Sequence, residues 1–434
     1  MTMSAIPIDL PLSKSLLNRA LVIIAGQGRL SSWLNVNPDV ISNGCRDTRL
    51  LIDALLGIEQ NRSNPCYFQD AGTPCRLFTA FAAAKFSEQI EIKGNDSLNN
   101  RSIEPLVTGL MSMGADIQYL ERHGFTPLSI KKGIQQWKDV RISAAISSQY
   151  ASAFLLIAPL FSGTKNIVVT ESSHSQAYLE MTVDILKRMG IEISSTQITS
   201  EIHYTIQGEY QDLGAHVPSD IFESDWSSAA FFYPLLLGLP QNTILELRGL
   251  NPNSSQGDAA LSYLGNSLGI KTIKTENGIS ILRDGNSPDA FHQNVSDGEI
   301  LSKETTTINL KNNPDLAPAL IVGWCIMGRT LLIQGIHNLR FKECDRIAAL
   351  QNNIKALGCT LTSLGTEVDD LWILDSSHRS FPSQMHIETH SDHRIAMAFA
   401  ALKPWIPDLS FSDTTCVEKS FPQFWEQWKK CTFE

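Results

Sequence analysis

With 434 residues, the chain is longer than one hydrophobic core ordinarily supports, so two domains are expected. Its 35 Lys and Arg against 45 Asp and Glu leave a net charge of -10. That balance argues against a nucleic-acid partner, which needs a basic face, but leaves small anionic substrates open because local charge governs a closed site.

The first residues show no basic stretch followed by an apolar run, so no signal peptide and a cytoplasmic location are expected. Segment 229–237 is apolar but too short to cross a bilayer, and no membrane association is expected. Cysteines at 45, 66, 75, 325, 344, 359, 416 and 431 include no Cys-x-x-Cys. They read as reduced thiols rather than a disulfide framework or zinc site.

In chain order, the first informative segment is Leu-Ser-Lys-Ser-Leu-Leu-Asn-Arg, which places Lys14 and Arg19 at a helix start. Leu56-Gly57-Ile58 follows, the first of five places where a helical pattern meets glycine and then a β-prone run. The others are Met113-Gly114, Met189-Gly190, Leu268-Gly269 and Leu357-Gly358. Glycine past a helix end closes the last turn in the left-handed region, and five occurrences predict a repeated α/β unit. Asp70-Ala71-Gly72-Thr73-Pro74-Cys75-Arg76 reads as a loop entering a helix, with Thr73 as N-cap and Pro74 first in the helix.

Segments 151–161, 227–237 and 317–327 carry almost no charge and read as helices buried on all sides. Each follows a capping cluster: Ser147-Ser148-Gln149, Ser224-Asp225 and Asn313-Pro314-Asp315. Their N-terminal ends are expected to meet at a polar cleft. Segment 330–334 is β-prone, and Lys342-Glu343-Cys344-Asp345-Arg346 is expected to open a helix whose buried face carries Ile347, Leu350, Ile354 and Leu357. Lys342 and Arg346, four apart, would share one helical face, which is mildly unfavourable unless an anion or the acids between compensate.

Cations that recur near helix starts in an acidic chain point to a designed anion site, because helix N-termini present free N–H groups and a positive dipole end. Other chemistry is weakly supported. His386, His390 and His393 with Glu388 and Asp392 lack a matching metal set elsewhere, so no metal is expected. No Walker A loop or Gly-x-Gly-x-x-Gly is present, and no nucleotide or other cofactor is indicated.

Taken in order, these motifs resemble the 5-enolpyruvylshikimate-3-phosphate (EPSP) synthase family. The likeness runs from Pro11 to Phe424 through Ser13-Lys14-Ser15 with Asn18 and Arg19, Ala71-Gly72-Thr73 with Arg76, Arg101, and Ser147-Ser148-Gln149. It continues through Ser175 with Tyr178, Asp315, Asn338 with Lys342-Glu343 and Arg346, Asp392-His393-Arg394, and Lys419. The resemblance implies an α/β (α+β) enolpyruvyl transferase fold, with two domains of three βαββαβ-like repeats each around interior helices. It places the crossings near Lys14 and Ser224, giving 1–14 plus 225–434 as one domain and 15–224 as the inserted one, with substrates in the cleft.

The implied substrates are shikimate 3-phosphate and phosphoenolpyruvate, and a monomer is expected. The resemblance assigns shikimate 3-phosphate to Lys14, Ser15, Arg19, Ser147, Ser148, Gln149, Ser175, Asp315, Asn338 and Lys342. Phosphoenolpyruvate falls to Lys14, Gly72, Arg101, Gln149, Arg346, Arg394 and Lys419. Asp315, Glu343, Lys14, Lys419 and His393 carry the catalytic roles. Two phosphates and two carboxylates demand many cations, and Arg can bind either group with two parallel hydrogen bonds.

The sequence departs from the family pattern at four places. Leu12 stands where glycine is usual, Asp70 where asparagine is usual, and Leu77 and Ser102 where proline is common. A carboxylate at 70 is unfavourable beside bound anions unless a cation such as Arg76 pairs with it. The rival readings are the related transferase acting on UDP-N-acetylglucosamine, which typically carries a reactive loop cysteine, and a non-catalytic homologue that binds a phosphorylated ligand.

Overall fold

The computed structural model describes residues 5–62, 65–85, 88–144, 147–170, 176–212, 217–284, 306–365 and 370–432. The chain divides into two compact units: Met1–Pro11 with Ser224–Glu434, and Leu12–Glu223. Lys14 therefore belongs to the inserted unit and Ser224 to the discontinuous one, a small shift from the expected boundaries. Local bonds explain it. Ser13 N donates to Glu223 O at 2.8 Å, whereas Ser224 N donates to Gly249 O at 2.9 Å and Asp225 N to Pro11 O at 2.9 Å.

One sheet plan recurs. In the inserted unit one sheet has the order Cys66–Tyr67, Ile90–Lys93, Leu128–Lys132, Asp116–Tyr119, and a second has Val140–Ser143, Lys165–Thr170, Glu201–Gln207, Glu192–Ile198. The first pair in each is parallel and the rest antiparallel. The discontinuous unit repeats this order twice. Ile6–Ile8, Ile244–Arg248, Gly278–Arg283 and Ile270–Lys274 form one sheet. Thr306–Asn309, Leu331–Gln334, Leu371–Asp375 and Thr360–Ser363 form the other. A shorter parallel pair, Gln384–Ile387 with Asp408–Phe411, flanks the helix His393–Ala400.

Along the chain each four-stranded unit reads β-α-β-α-β-β, since a parallel pair needs a crossover while the closing hairpin does not. The expected repeated α/β architecture is present, but among the described residues each unit holds two such four-stranded sheets where three repeats were expected, and the order is β-α-β-α-β-β rather than βαββαβ. Before its first strand, the inserted unit contributes helices such as Lys14–Gly26 and Arg46–Glu59.

Each unit has its own core. Helices Lys14–Gly26, Gly72–Lys85 and Ser148–Ile157 bury nearly all their side chains in the inserted unit. Phe232–Leu236, Ala317–Met327 and His393–Ala400 do so in the other. A helix apolar on every face has no solvent side to present, so it becomes the centre of the unit. The predicted 151–161 helix runs as Ser148–Ile157 with a 3₁₀ turn to Leu160, and 227–237 is split into Trp226–Ala229 and Phe232–Leu236.

Gly269 and Gly358 close their helical turns in the left-handed region, at φ 67° and 72°. Gly57 does not, because the helix Arg46–Glu59 continues through it. The loop at 70–76 also enters its helix earlier than expected. That helix starts at Gly72, with Cys75 N bonded to Ala71 O, so Thr73 is not the N-cap and Pro74 sits in the first turn. Proline is tolerated there because first-turn N–H groups have no partner within the helix.

Candidate active site

In the discontinuous unit, Arg346 is the hub. It is the first residue of the helix Arg346–Ile354, which is capped by Asp345 accepting from Ala348 N at 3.0 Å. Its side chain is 1% exposed. Nε donates to Asp392 Oδ2 at 2.7 Å, Nη1 to Asp315 Oδ1 at 3.0 Å, and Nη2 to Glu343 Oε2 at 2.7 Å. A guanidinium suits this task because its donors diverge in a fixed planar fork.

Three further cations join. Lys342 Nζ lies 3.3 Å from Asp315 Oδ1, Arg394 Nη2 lies 3.3 Å from Asp315 Oδ2, and Lys419 Nζ lies 3.5 Å from Glu343 Oε1. Lys342 precedes the helix rather than sharing its face with Arg346, and the two meet at Asp315. Their repulsion is offset by that shared carboxylate.

Burial alone would push the Asp315 carboxyl up, but Arg394, Lys342 and Arg346 together hold it well below the usual carboxylate range. For Arg346, burial works against the charge, and Asp392, Glu343 and Asp315 outweigh it, so its guanidinium is held more firmly protonated than usual. Asp392 is fully buried, and its Oδ1 caps the helix His393–Ala400 by accepting from Arg394 N at 2.8 Å. His393, the first residue of that helix, is buried beside Asp392 with Nδ1 3.9 Å from Oδ1. Asn338 lies in the turn His337–Phe341, where its buried Oδ1 makes no hydrogen bond among the described residues.

Asp258 was not singled out from the sequence. It is buried and accepts from Ser227 Oγ, and among the described residues its Oδ1 has no hydrogen bond. Burial and the negative charge of Asp315 push its carboxyl up to about 6, against the pull of Arg394. Asp225, which caps Trp226–Ala229, also faces it. The starts of two interior helices thus do converge within this unit.

In the inserted unit, Lys14 opens the helix Lys14–Gly26 and pairs with buried Asp47 Oδ2 at 3.0 Å. Arg19 is buried, and among the described residues no carboxylate pairs with it. Its Nε donates to Thr182 Oγ1 at 2.7 Å, Nη1 to Ser15 O at 2.9 Å, and Nη2 to Ser152 Oγ and Tyr178 O. Burial brings it down to about 10.

Ser147 caps the helix Ser148–Ile157 by accepting from Gln149 N at 3.2 Å. Gln149 Oε1 accepts from Arg76 Nη1 at 2.8 Å. Arg101 Nη2 donates to Asp70 O at 2.8 Å. A Cβ at Gly72 would lie 3.1 Å from Arg101 Nη1 and 3.5 Å from Arg76 Nη1, so glycine leaves the two guanidinium groups room. Asp70 pairs with a nearby cation, as expected, and that cation is Arg46, at 2.6 Å, rather than Arg76. Ser175 lies outside the described residues.

The structure thus joins Asp315, Lys342, Glu343, Arg346, Arg394 and Lys419 in one ionic cluster, and Gly72, Arg101 and Gln149 around Arg76 in another. Among the described residues, no group of three His, Cys, Asp or Glu is placed to hold a metal, and no helix is long and apolar enough to cross a membrane.

Clusters of cations recur in both units of a scaffold of repeated sheets. Two solved structures share the fold. An EPSP synthase from Acinetobacter baumannii has TM-score 0.65 and 20% identity, covering 98% of this chain and 96% of that one. The enolpyruvyl transferase NikO from Streptomyces tendae has TM-score 0.61 and 12% identity, covering 99% and 95%. The fold is that of the enolpyruvyl transferases.

A 3-phosphoshikimate 1-carboxyvinyltransferase of Bacteroides fragilis is 31% identical over 428 residues, 98% of this chain and 95% of the relative. One of Methanospirillum hungatei is 28% identical over 446 residues, 97% and 94% of the two chains. The family model of EPSP synthase (3-phosphoshikimate 1-carboxyvinyltransferase) matches residues 47–428, and the chain belongs to that family.

Proposed function

We propose that the chain transfers the enolpyruvyl group of phosphoenolpyruvate to the 5-hydroxyl of shikimate 3-phosphate and releases phosphate. The observation that carries this reading is Arg346 bonded to both Asp315 at 3.0 Å and Glu343 at 2.7 Å. The reaction needs two carboxylates held apart for two different proton transfers, within a set of cations that can meet substrate anions.

In the addition step, the 5-hydroxyl oxygen attacks C2 of phosphoenolpyruvate, Asp315 takes the hydroxyl proton, and Glu343 delivers a proton to C3. In the elimination, C3 returns a proton to Glu343, the double bond re-forms, the C2–O bond to phosphate breaks and the departing phosphate takes the proton held by Asp315, which restores both carboxyls. A carboxylate held as acidic as Asp315 is a weak base. Substrate anions that engage Lys342, Arg346 and Arg394 draw those cations away from it and raise its basicity when it is needed.

Lys14 and Lys419 stabilise charge on the phosphate and the tetrahedral intermediate. Lys14, Gly72, Arg101, Gln149, Arg346, Arg394 and Lys419 take phosphoenolpyruvate. Ser15, Arg19, Ser147, Ser148, Gln149, Ser175, Asn338 and Lys342, with Lys14 and Asp315, take shikimate 3-phosphate. His393 joins the catalytic set beside Asp392.

The UDP-N-acetylglucosamine reading is disfavoured by Cys75. It is buried in the helix Gly72–Lys85, and burial pushes its thiol up to about 12, so it is not a reactive loop nucleophile. Asp315→Asn and Glu343→Gln are each expected to lower kcat about 100- to 10,000-fold while the protein stays folded. Near-normal turnover in both variants would contradict the assignment.

A further inference from the structure

Asp70 poses a problem that its neighbours solve. Its backbone oxygen accepts from Arg101 Nη2 at 2.8 Å, and it stands two residues before Gly72, around which Arg101 and Arg76 gather. Gly72 and Arg101 are assigned above to phosphoenolpyruvate, and the inference rests on that reading. An uncompensated carboxylate there would repel the incoming phosphate and carboxylate, since like charges at short range disfavour one another.

Arg46 supplies the compensation. Its Nη2 donates to Asp70 Oδ1 at 2.6 Å. Arg46 is also the first residue of the helix Arg46–Glu59, where the dipole end is positive and a cation is unfavourable. A cation that stands against the dipole needs a counter-ion, and Asp70 is that counter-ion. Among the described residues, the buried Nε of Arg46 makes no hydrogen bond. The next residue, Asp47, does the converse for Lys14 at 3.0 Å. Successive residues at one helix start thus each answer an opposite charge on a segment assigned to substrate.

We propose that Arg46 is a positioning residue of the phosphoenolpyruvate subsite, neutralising Asp70 so that Gly72 and Arg101 can receive an anion. Arg46, Arg76 and Arg101 outnumber the carboxylate of Asp70 and leave the subsite positive. Without Arg46 the same carboxylate competes with the ligand for Arg101 and Arg76. The effect falls on phosphoenolpyruvate affinity rather than on the proton transfers, which are assigned to Asp315 and Glu343.

The test is steady-state kinetics with both substrates varied, on wild type, Arg46→Gln, Arg46→Lys, Asp70→Asn and the Arg46→Gln/Asp70→Asn double variant, each checked by thermal unfolding. Arg46→Gln is expected to raise KM for phosphoenolpyruvate at least about tenfold, with kcat and KM for shikimate 3-phosphate within about twofold. Adding Asp70→Asn should return KM for phosphoenolpyruvate to within about threefold of wild type, which a merely structural role would not do. Arg46→Lys keeps the charge and should stay within about threefold, and Asp70→Asn alone should not raise that KM.

An unchanged KM in Arg46→Gln, or a rise that Asp70→Asn does not reverse, overturns the inference. If Arg46→Gln fails to fold, Asp70→Asn and Arg46→Lys decide it: a raised phosphoenolpyruvate KM in Asp70→Asn overturns the inference. Wild-type enzyme that releases no phosphate overturns the proposed function itself, and this inference with it. Active wild type with an indifferent Arg46 overturns the inference alone.

Discussion

At the residue scale, the buried charges around Arg346 are paired, and Asp258 beside them is held differently. Its carboxyl is raised to about 6 from an ordinary value of 3.8, by burial first and by Asp315 second. The folded state therefore holds this proton more tightly than the unfolded chain does. Its stabilising contribution is fully present below about pH 4 and is lost as pH rises through about 6. Asp315 has the opposite sign: its carboxyl is lowered, so its contribution is present above its unfolded value of 3.8 and falls away in more acid solution. Asp258→Asn is expected to flatten the rise in stability between pH 7 and about pH 5 and to stabilise the protein at pH 7 and above. Urea denaturation midpoints across that range check it. An unchanged pH slope in the variant would show that Asp258 is not the group responsible.

The same scale shows what the sequence could disclose of the site. Lys342 and Arg346 advertise themselves by spacing and by two like charges that need compensation. Asp47, Arg46 and Asp258 give no such signal. Each is an ordinary acid or base in its own segment and acquires a role only when the fold brings Lys14, Asp70 or Asp315 beside it. Asp392 belongs to a visible motif, yet its double duty is also tertiary: it caps the helix His393–Ala400 and pairs with Arg346.

At the element scale, punctuation was legible and pairing was not. Gly269 and Gly358 end helical turns as read, because no other residue enters the left-handed region as cheaply. Gly57 misleads because the same dipeptide fits inside a helix whose apolar face continues past it, through Ile58. The all-apolar helices were legible from composition, but the order in which each sheet's third and fourth strands pair is set by hairpin geometry and shared packing. Replacing Gly358 tests the punctuation directly. Its φ is 72°, and an added Cβ would meet His378 O at 2.8 Å. Gly358→Ala is expected to destabilise the protein by about 1–3 kcal/mol in urea unfolding, whereas Gly57→Ala, inside a helix with open space, should not. Equal effects of the two would contradict this account of the turns.

At the scale of the whole molecule, two cores of similar character divide the chain. Phe78 is buried in one and Leu320 in the other. Truncating either to alanine is expected to cost about 2–5 kcal/mol, with amide hydrogen exchange accelerated chiefly in the unit that carries the change. Uniform acceleration over both units would mean that they unfold as one. Family membership joins this architecture to a reaction, and we propose that the cation clusters of both units meet its two substrates.

The most direct test is phosphate release by the purified protein given phosphoenolpyruvate with shikimate 3-phosphate, and in parallel with UDP-N-acetylglucosamine. Release that depends on shikimate 3-phosphate is the expected result. Release only with UDP-N-acetylglucosamine, or silence with both acceptors from folded protein, would contradict the proposed function.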